Sequence, residues 1–296
     1  MLSSSSNPRI RNIAKLLTSA KERREQGLYV IEGVKLFLEA FEAVPERIKE
    51  VYLTEELAEK VFGEIDPSKR ESENGEGALR SRLSLVRSAL SGLRYETVSE
   101  AVFKKLSDTK TPQGIVCVMK GEELSFEKVK ETLFFGEQGL LSGDRPVRAL
   151  LLEGIQDPGN LGTMIRTAEA AGFDFILADQ GTADYYNPKT IRSTMGSVFR
   201  MKVIYAADFT KAISDLRAQG LTVYAAHLKG ENFYDEEDYA EKTAILIGNE
   251  GKGLSAAVSA LADRLVKIPM QGKTESLNAG VAAALLMFES RQKHQA

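Results

Sequence analysis

From Arg148 onward, short apolar runs alternate with amphipathic stretches, and this alternation limits the possible fold more than any other feature. ALLLEG (149–154), FDFILAD, FRMKVIY, LTVYAAH, TAILIGNE and LVKIPM read as strands. DPGNLGTMIRTAEAAG, NPKTIRSTMGS, DFTKAISDLRAQG, GLSAAVSALAD and SLNAGVAAALLMFESRQ read as helices between and after them. A parallel strand pair needs a long crossover, and a helix supplies it; the sheet is then covered on both faces. The expectation is an α/β domain over 148–296. In such a sheet, ligands sit beyond the carboxyl ends of the strands, where loops and helix N-termini meet.

Three of those loops are unusual. In EGIQDPGNLGTMIR (153–166), Pro158, Gly159 and Gly162 permit a tight strand-to-helix turn. Asn160 is expected to cap the helix. Leu161, Ile165 and Ala168 line one helical face, leaving Thr163, Arg166 and Glu169 on another. The simplest reading of that second face is solvated, with Arg166 paired to Glu169. LIGNEGKGLS (246–255) carries three glycines after an apolar strand, which suits an anion or an adenosine. It is not a phosphate-binding P-loop, since Gly248 and the Gly251–Lys252 pair stand too close together. The first loop also lacks G-x-G-x-x-G, so a nicotinamide cofactor finds little support. In IPMQGKTESLNAG (268–280) a strand ends, Gln271–Gly272 turns, and Ser276 or Asn278 begins an Ala/Leu-rich helix. A well-capped core helix explains this third segment equally well.

Composition removes other chemistries. The lone cysteine, Cys117, lies in the apolar run IVCVM and reads as a buried thiol; it cannot form an intrachain disulfide. His227 and His294 are far apart in sequence, which argues against metal and Ser-His-Asp chemistry. A reducing, cytoplasmic setting is expected. No apolar run reaches the length of a membrane span. The formal charge of −3 gives no global sign of a nucleic-acid binder. Its distribution does, because six basic residues (Arg9, Arg11, Lys15, Lys21, Arg23, Arg24) face one acid, Glu22, up to Arg24. The Ser/Arg-rich start looks like an organellar leader. However, Ile10, Ile13, Leu16 and Leu17 fall at helical spacing and place it in a first helix over 8–24. With strands near 29–31, 51–54 and 114–120 and a helix over 33–43, residues 1–120 read as a small α/β module. DPSKRESENGEGALRSR (66–82) reads as a mobile insertion, and 121–147 as a linker holding at most one short helix.

Taken in order and strand context, the three loops resemble the SpoU (TrmH-type) family of RNA ribose 2′-O-methyltransferases, within the SPOUT superfamily. EGIQDPGNLGTMIRTAEAAG, IGNEGKGL and IPMQGKTESLNAGVAAAL are similar to its three motifs. IRNIAKLL, KERREQGLYVIEGVKLF and SDTKTPQGIV resemble its N-terminal substrate-binding module, a small ribosomal-protein-like α/β fold. The resemblance implies a C-terminal parallel-sheet domain with a deep trefoil knot, S-adenosylmethionine as methyl donor, and a homodimer through the knotted domains. By position, Gly248, Gly251, Ile268, Met270 and Leu277 would hold the donor. Arg166 matches the catalytic arginine, and Asn160, Glu250, Ser276 and Asn278 match the other site positions. A guanidinium is too weak an acid to lose its proton readily, so Arg166 is expected to clamp a phosphate and stabilise the oxyanion. The proton then leaves through water or Glu250. Arg9, Arg11, Lys15, Arg23 and Arg24 would contact RNA phosphates; Arg192 would either contact RNA or stabilise a helix. Ala279–Gly280 departs from the Val-Ser that many members carry, and a glycine in a first helical turn is costly.

The expected function is methyl transfer to a ribose 2′-hydroxyl in structured RNA, ribosomal RNA ahead of transfer RNA, without metal or membrane. Two alternatives stand beside it. One is a non-catalytic RNA-binding or ribosome-assembly factor that kept the fold. The other is a small-molecule α/β enzyme using a nucleotide cofactor.

Overall fold

Asn7 starts the first helix: its side chain accepts from the Arg9 amide, and Pro8 follows where a missing N–H costs nothing. The computed structural model describes residues 2–63, 76–122 and 124–292. Its contacts divide the chain into two units, Met1–Glu122 with Tyr186–Arg192, and Glu123–Tyr185 with Ser193–Ala296.

In the first unit, α1 (Pro8–Thr18) buries Ile10, Ile13 and Leu16. The single helix expected over 8–24 is broken. Ser19 takes an extended conformation, and its hydroxyl caps α2 (Ala20–Gln26) by accepting from Glu22 N. Then follow β1 (Leu28–Glu32), α3 (Val34–Ala43), β2 (Ile48–Thr54), α4 (Glu55–Phe62), α5 (Glu76–Leu90), β3 (Tyr95–Val98), α6 (Glu100–Leu106) and β4 (Ile115–Lys120). The four strands form a mixed sheet, order β1-β4-β2-β3, with only β2 and β3 parallel. Its core joins Ile10, Ile13 and Leu16 to Tyr52, Val102, Phe103 and Val116. Cys117, in β4 between two residues of that core, is itself buried, and burial pushes its thiol up. Of the insertion expected over 66–82, residues 66–75 lie outside the described residues. Residues 76–82 open α5, which is held by Val86, Ala89 and Leu90 buried at helical spacing.

The second unit is built on an all-parallel sheet. Its elements are β5 (Leu124–Ser125), α7 (Phe126–Val129), β6 (Val147–Leu152), α8 (Pro158–Ala170), β7 (Phe175–Asp179), α9 (Pro188–Thr194, which straddles the two units), β8 (Val203–Ala206), α10 (Phe209–Ala218), β9 (Thr222–Ala226), β10 (Asn232–Phe233), β11 (Lys242–Ile247), α11 (Ala256–Ser259), β12 (Arg264–Lys267) and α12 (Ala279–Gln292). Strand order is β10-β12-β9-β11-β6-β7-β8-β5. The stretch expected as a linker folds instead. Leu124–Ser125 pairs with β8, and Phe126, Phe134 and Leu141 are buried in the core, with Phe134 edge-on to Phe175 at 4.7 Å. Aromatic burial, which the glycine-rich look of 136–146 hid, decides this segment.

Chain direction across the sheet reverses between β6 and β11, its topological switch point. Leu152 pairs with Ile247 at the last rung, so the loops after these strands leave the sheet side by side. Helix α12 returns to pack against both α8 and β11. Among the described residues no helix is long and apolar enough to cross a membrane.

Candidate active site

The side chains of Glu153 and Asn249 stitch together the two loops leaving β6 and β11, and Asp179 ties the first of them to the end of β7. Glu153 accepts from Ser255 N at 2.8 Å and from its hydroxyl at 2.6 Å. Asn249 donates through Nδ2 to Gly154 O at 2.7 Å, while its Oδ1 accepts from Gly251 N and Lys252 N at 3.0 and 2.9 Å. The amide of Gly154 donates in turn to Asp179 Oδ1 at 2.9 Å, at the end of β7. Glu153, Asn249 and Asp179 were not singled out in the sequence. Their signal is positional: each is a polar residue at or just past the carboxyl end of an apolar strand.

The second set of contacts joins all three loops. Asp157, not Asn160, caps α8 by accepting from Asn160 N at 2.9 Å. Pro158 at the first helical position already pointed to its predecessor as the cap. Asn160 therefore keeps its side chain for other work. Its Nδ2 donates to Glu250 Oε1 at 3.0 Å, and its Oδ1 accepts from Asn278 Nδ2 at 2.9 Å. Asn278 caps α12, accepting from Gly280 N and Val281 N at 2.9 and 3.3 Å. Glu250 also accepts from Gln156 N and Asp157 N at 3.2 and 3.3 Å. Partial burial pushes the Glu250 carboxyl up. Donation from Asn160 and from the amides of Glu250, Gln156 and Asp157 outweighs that and holds it below the usual carboxylate range.

Beyond the carboxyl ends of β9, β11 and β12 lies a cavity of roughly 410 Å³. Gly248, Gly251, Ile268, Met270 and Leu277, all five residues expected to hold a donor, line it together with Glu250 and Ser276. At Gly248 the chain is pressed against its own loop: a Cβ there would stand 2.4–2.7 Å from the backbone of Gly253 and Leu254. At Gly280 a Cβ would stand 3.2 Å from Asn278 Oδ1 and 3.5 Å from Thr163 Cγ2. The glycine that departs from the expected pattern thus lets α12 start close against α8.

Arg166 and Ser276 do not join the network. Arg166 is exposed on α8, about 9 Å along the axis from Asn160. Among the described residues it makes no hydrogen bond or ion pair. The pairing of Arg166 with Glu169 is not formed, because Glu169 is bound by Arg200.

The residues expected to contact RNA have several fates. Arg23 is a correction: it is 4% exposed and donates to Leu16 O and Leu17 O, closing the carboxyl end of α1. Arg9 pairs with Glu96 and Glu50 and lies over the Tyr52 ring. Lys15 pairs with Glu22 at 3.6 Å and Arg192 with Asp108 at 2.8 Å. Arg11 and Arg24 are exposed and, among the described residues, unpaired.

Comparison with known proteins adds two family matches, the SpoU rRNA Methylase family over residues 148–288 and the MRM3-like substrate binding domain over residues 7–117. The chain is 33% identical over 292 residues to the 23S rRNA (guanosine(2553)-2′-O)-methyltransferase RlmP of Bacillus subtilis, covering 98% of each. It is similar to the structure of an AdoMet-bound rRNA methyltransferase from Sinorhizobium meliloti, at 28% identity and a TM-score of 0.75, over 100% of this chain and 98% of that one. A solved RNA 2′-O ribose methyltransferase is similar at 30% identity and a TM-score of 0.71, over 100% and 99%.

Proposed function

The chain belongs to the SpoU rRNA methylase family, and on that premise we infer that it is an S-adenosylmethionine-dependent methyltransferase acting on a ribose 2′-hydroxyl of ribosomal RNA. The observation that carries this reading is the relay Glu250–Asn160–Asn278, which joins three loops beside one cavity. The cavity suits the donor. Its aliphatic side chains offer a slot for an adenine ring, its glycine-rich loop offers backbone groups, and its volume lies within the range of small-ligand sites. Gly248, Gly251, Ile268, Met270 and Leu277 are the residues proposed to hold it. Bound there, S-adenosylmethionine supplies a sulfonium methyl that needs no further activation.

The protein's own task is alignment and charge. Arg166 is proposed to hold the phosphate beside the target sugar and to stabilise the developing alkoxide with its planar fork of N–H groups. Glu250, held ionised by four donors, is a weak base, so the proton is proposed to leave to water. Asn160 and Asn278 act as positioning residues that fix α8 and α12 relative to the second loop. Ser276, on the cavity wall, is proposed to meet the sugar.

Three finer readings go with this one. The relative acting on guanosine 2553 suggests 23S rRNA as the first target to map. A deep knot in the second unit is supported by the return of α12 to α8 and β11 after the chain has run out to β12. A homodimer is supported by a hollow of roughly 460 Å³ lined by Thr163, Tyr234, Val281, Leu285 and Phe288, where Val281 and Phe288 are 48% and 40% exposed. Arg166 lies one helical turn from Thr163, so a second copy on this face would approach it. A cytoplasmic setting completes the reading.

Isothermal titration with S-adenosylmethionine tests the proposal. Saturable binding that weakens on Asn160→Ala is expected; a folded sample that never engages the donor, with or without RNA, would contradict it.

A further inference from the structure

In the first unit a cleft of roughly 590 Å³ opens among α3, α4, α5 and α6, and each helix contributes a cation: Lys35, Lys60, Arg82 and Lys104. Two carboxylates share the lining. Glu56 is paired to Lys60 within α4, and Glu100 stands at the start of α6. Among the described residues Lys35, Arg82 and Lys104 make no hydrogen bond or ion pair. Among the described residues, four cations against two carboxylates leave the lining positive. Like charges drawn from four separate helices repel unless an anion joins them.

The helix pair at the start of the chain is different, although its sequence is more basic. Arg9, Lys15 and Lys21 have carboxylate partners there, and Arg23 is buried. Positive charge that looks concentrated in sequence is largely neutralised in the fold. Charge that looks scattered is gathered in the cleft.

We propose that this cleft binds an unpaired segment of the substrate rRNA, with backbone phosphates on Lys35, Arg82 and Lys104. The cleft's volume lies within the range of small-ligand sites. Duplex RNA is recognised along an extended surface that spans successive grooves, which a cleft of this size does not provide. Glu56 and Glu100 shape the site by repelling phosphates from their side, so the strand follows the three unpaired cations. The inference rests on rRNA being the substrate.

The test measures binding of the full-length chain to unmodified 23S rRNA fragments across a salt series. It compares the Lys35→Gln/Arg82→Gln/Lys104→Gln variant with Arg11→Gln/Arg24→Gln. The cleft variant should bind roughly tenfold or more weakly near 0.1 M salt. Its plot of log affinity against log salt should be shallower by about two, the change expected for three lost single-strand phosphate contacts. Its titration with S-adenosylmethionine should match the parent, so loss of donor binding in the parent would count against the proposed function and not against the cleft. Wild-type RNA affinity and salt slope in the cleft variant, with the whole loss in the Arg11/Arg24 pair, would overturn the inference. If the triple variant does not fold, photo-crosslinking of 4-thiouridine-substituted rRNA to the parent decides. Adducts on peptides carrying Lys35, Arg82 or Lys104 are expected; adducts confined to residues 9–24 would overturn it.

Discussion

The amides of Asn160 and Asn278 have only one sensible orientation each. Glu250, ionised, can only accept, so it demands Asn160 Nδ2. At the other end the amides of Gly280 and Val281 can only donate, so they demand Asn278 Oδ1 and leave its Nδ2 for Asn160 Oδ1. The direction of the whole relay is set by its two ends. Its anchor is pH-dependent in a defined sense. The Glu250 carboxyl, ordinarily near 4.5, is lowered in the folded protein. Its contribution is complete above that ordinary value and is lost as pH falls through the lower folded one. Donor affinity, followed by calorimetry, should be flat between roughly pH 5 and pH 8 and fall only in more acid solution; a decline centred near neutrality would sink the assignment. Arg166 makes a separate prediction, because it stands free of the relay. Arg166→Lys keeps the charge but loses the fork, and the loss of charge-assisted hydrogen bonds should lower kcat about 10- to 100-fold with donor affinity unchanged. Near-normal turnover in single-turnover assays would rule out a geometric role.

At the scale of elements, loop order and strand context were readable because parallel strands announce themselves as apolar runs, and the three polar turns stand out against them. Finer details were not. Asp157 and Asn160 are both good capping residues three positions apart, and only the consequence of Pro158 separates them. Arg23 could not be seen as buried, since nothing in an amphipathic sequence says that α1 ends at Ser19 and exposes carbonyls within its reach. Phe126 and Phe134 were hidden by the glycines that follow them. Which glycines matter is likewise a three-dimensional fact. Gly248→Ala would press a methyl against backbone at 2.4–2.7 Å, whereas a methyl at Gly251 meets nothing closer than 3.7 Å. The first substitution should weaken donor binding by at least about tenfold, as overpacking against backbone forces the loop to shift. The second should leave the loop unshifted and the melting temperature of the donor-free chain close to the parent's, and an equal loss of stability in both variants would show that the loop is not packed as described.

At the scale of the whole molecule, the proposed homodimer and the proposed reaction are tested separately. The apolar face of α12 divides as packing requires: Leu286 is buried, while Leu285, Val281 and Phe288 reach the surface. In light scattering coupled to size exclusion the parent should have the mass of two chains and Phe288→Glu that of one; a parent of single-chain mass, or a variant of unchanged mass, would contradict the proposed dimer through this face. The central claim is tested most directly by incubating the protein with methyl-labelled S-adenosylmethionine and unmodified 23S rRNA, then locating the label by its resistance to alkaline cleavage. Label on a ribose 2′-oxygen, absent with Arg166→Ala, is the predicted result. Label on a base, or none on any rRNA with an enzyme that binds the donor, would contradict it.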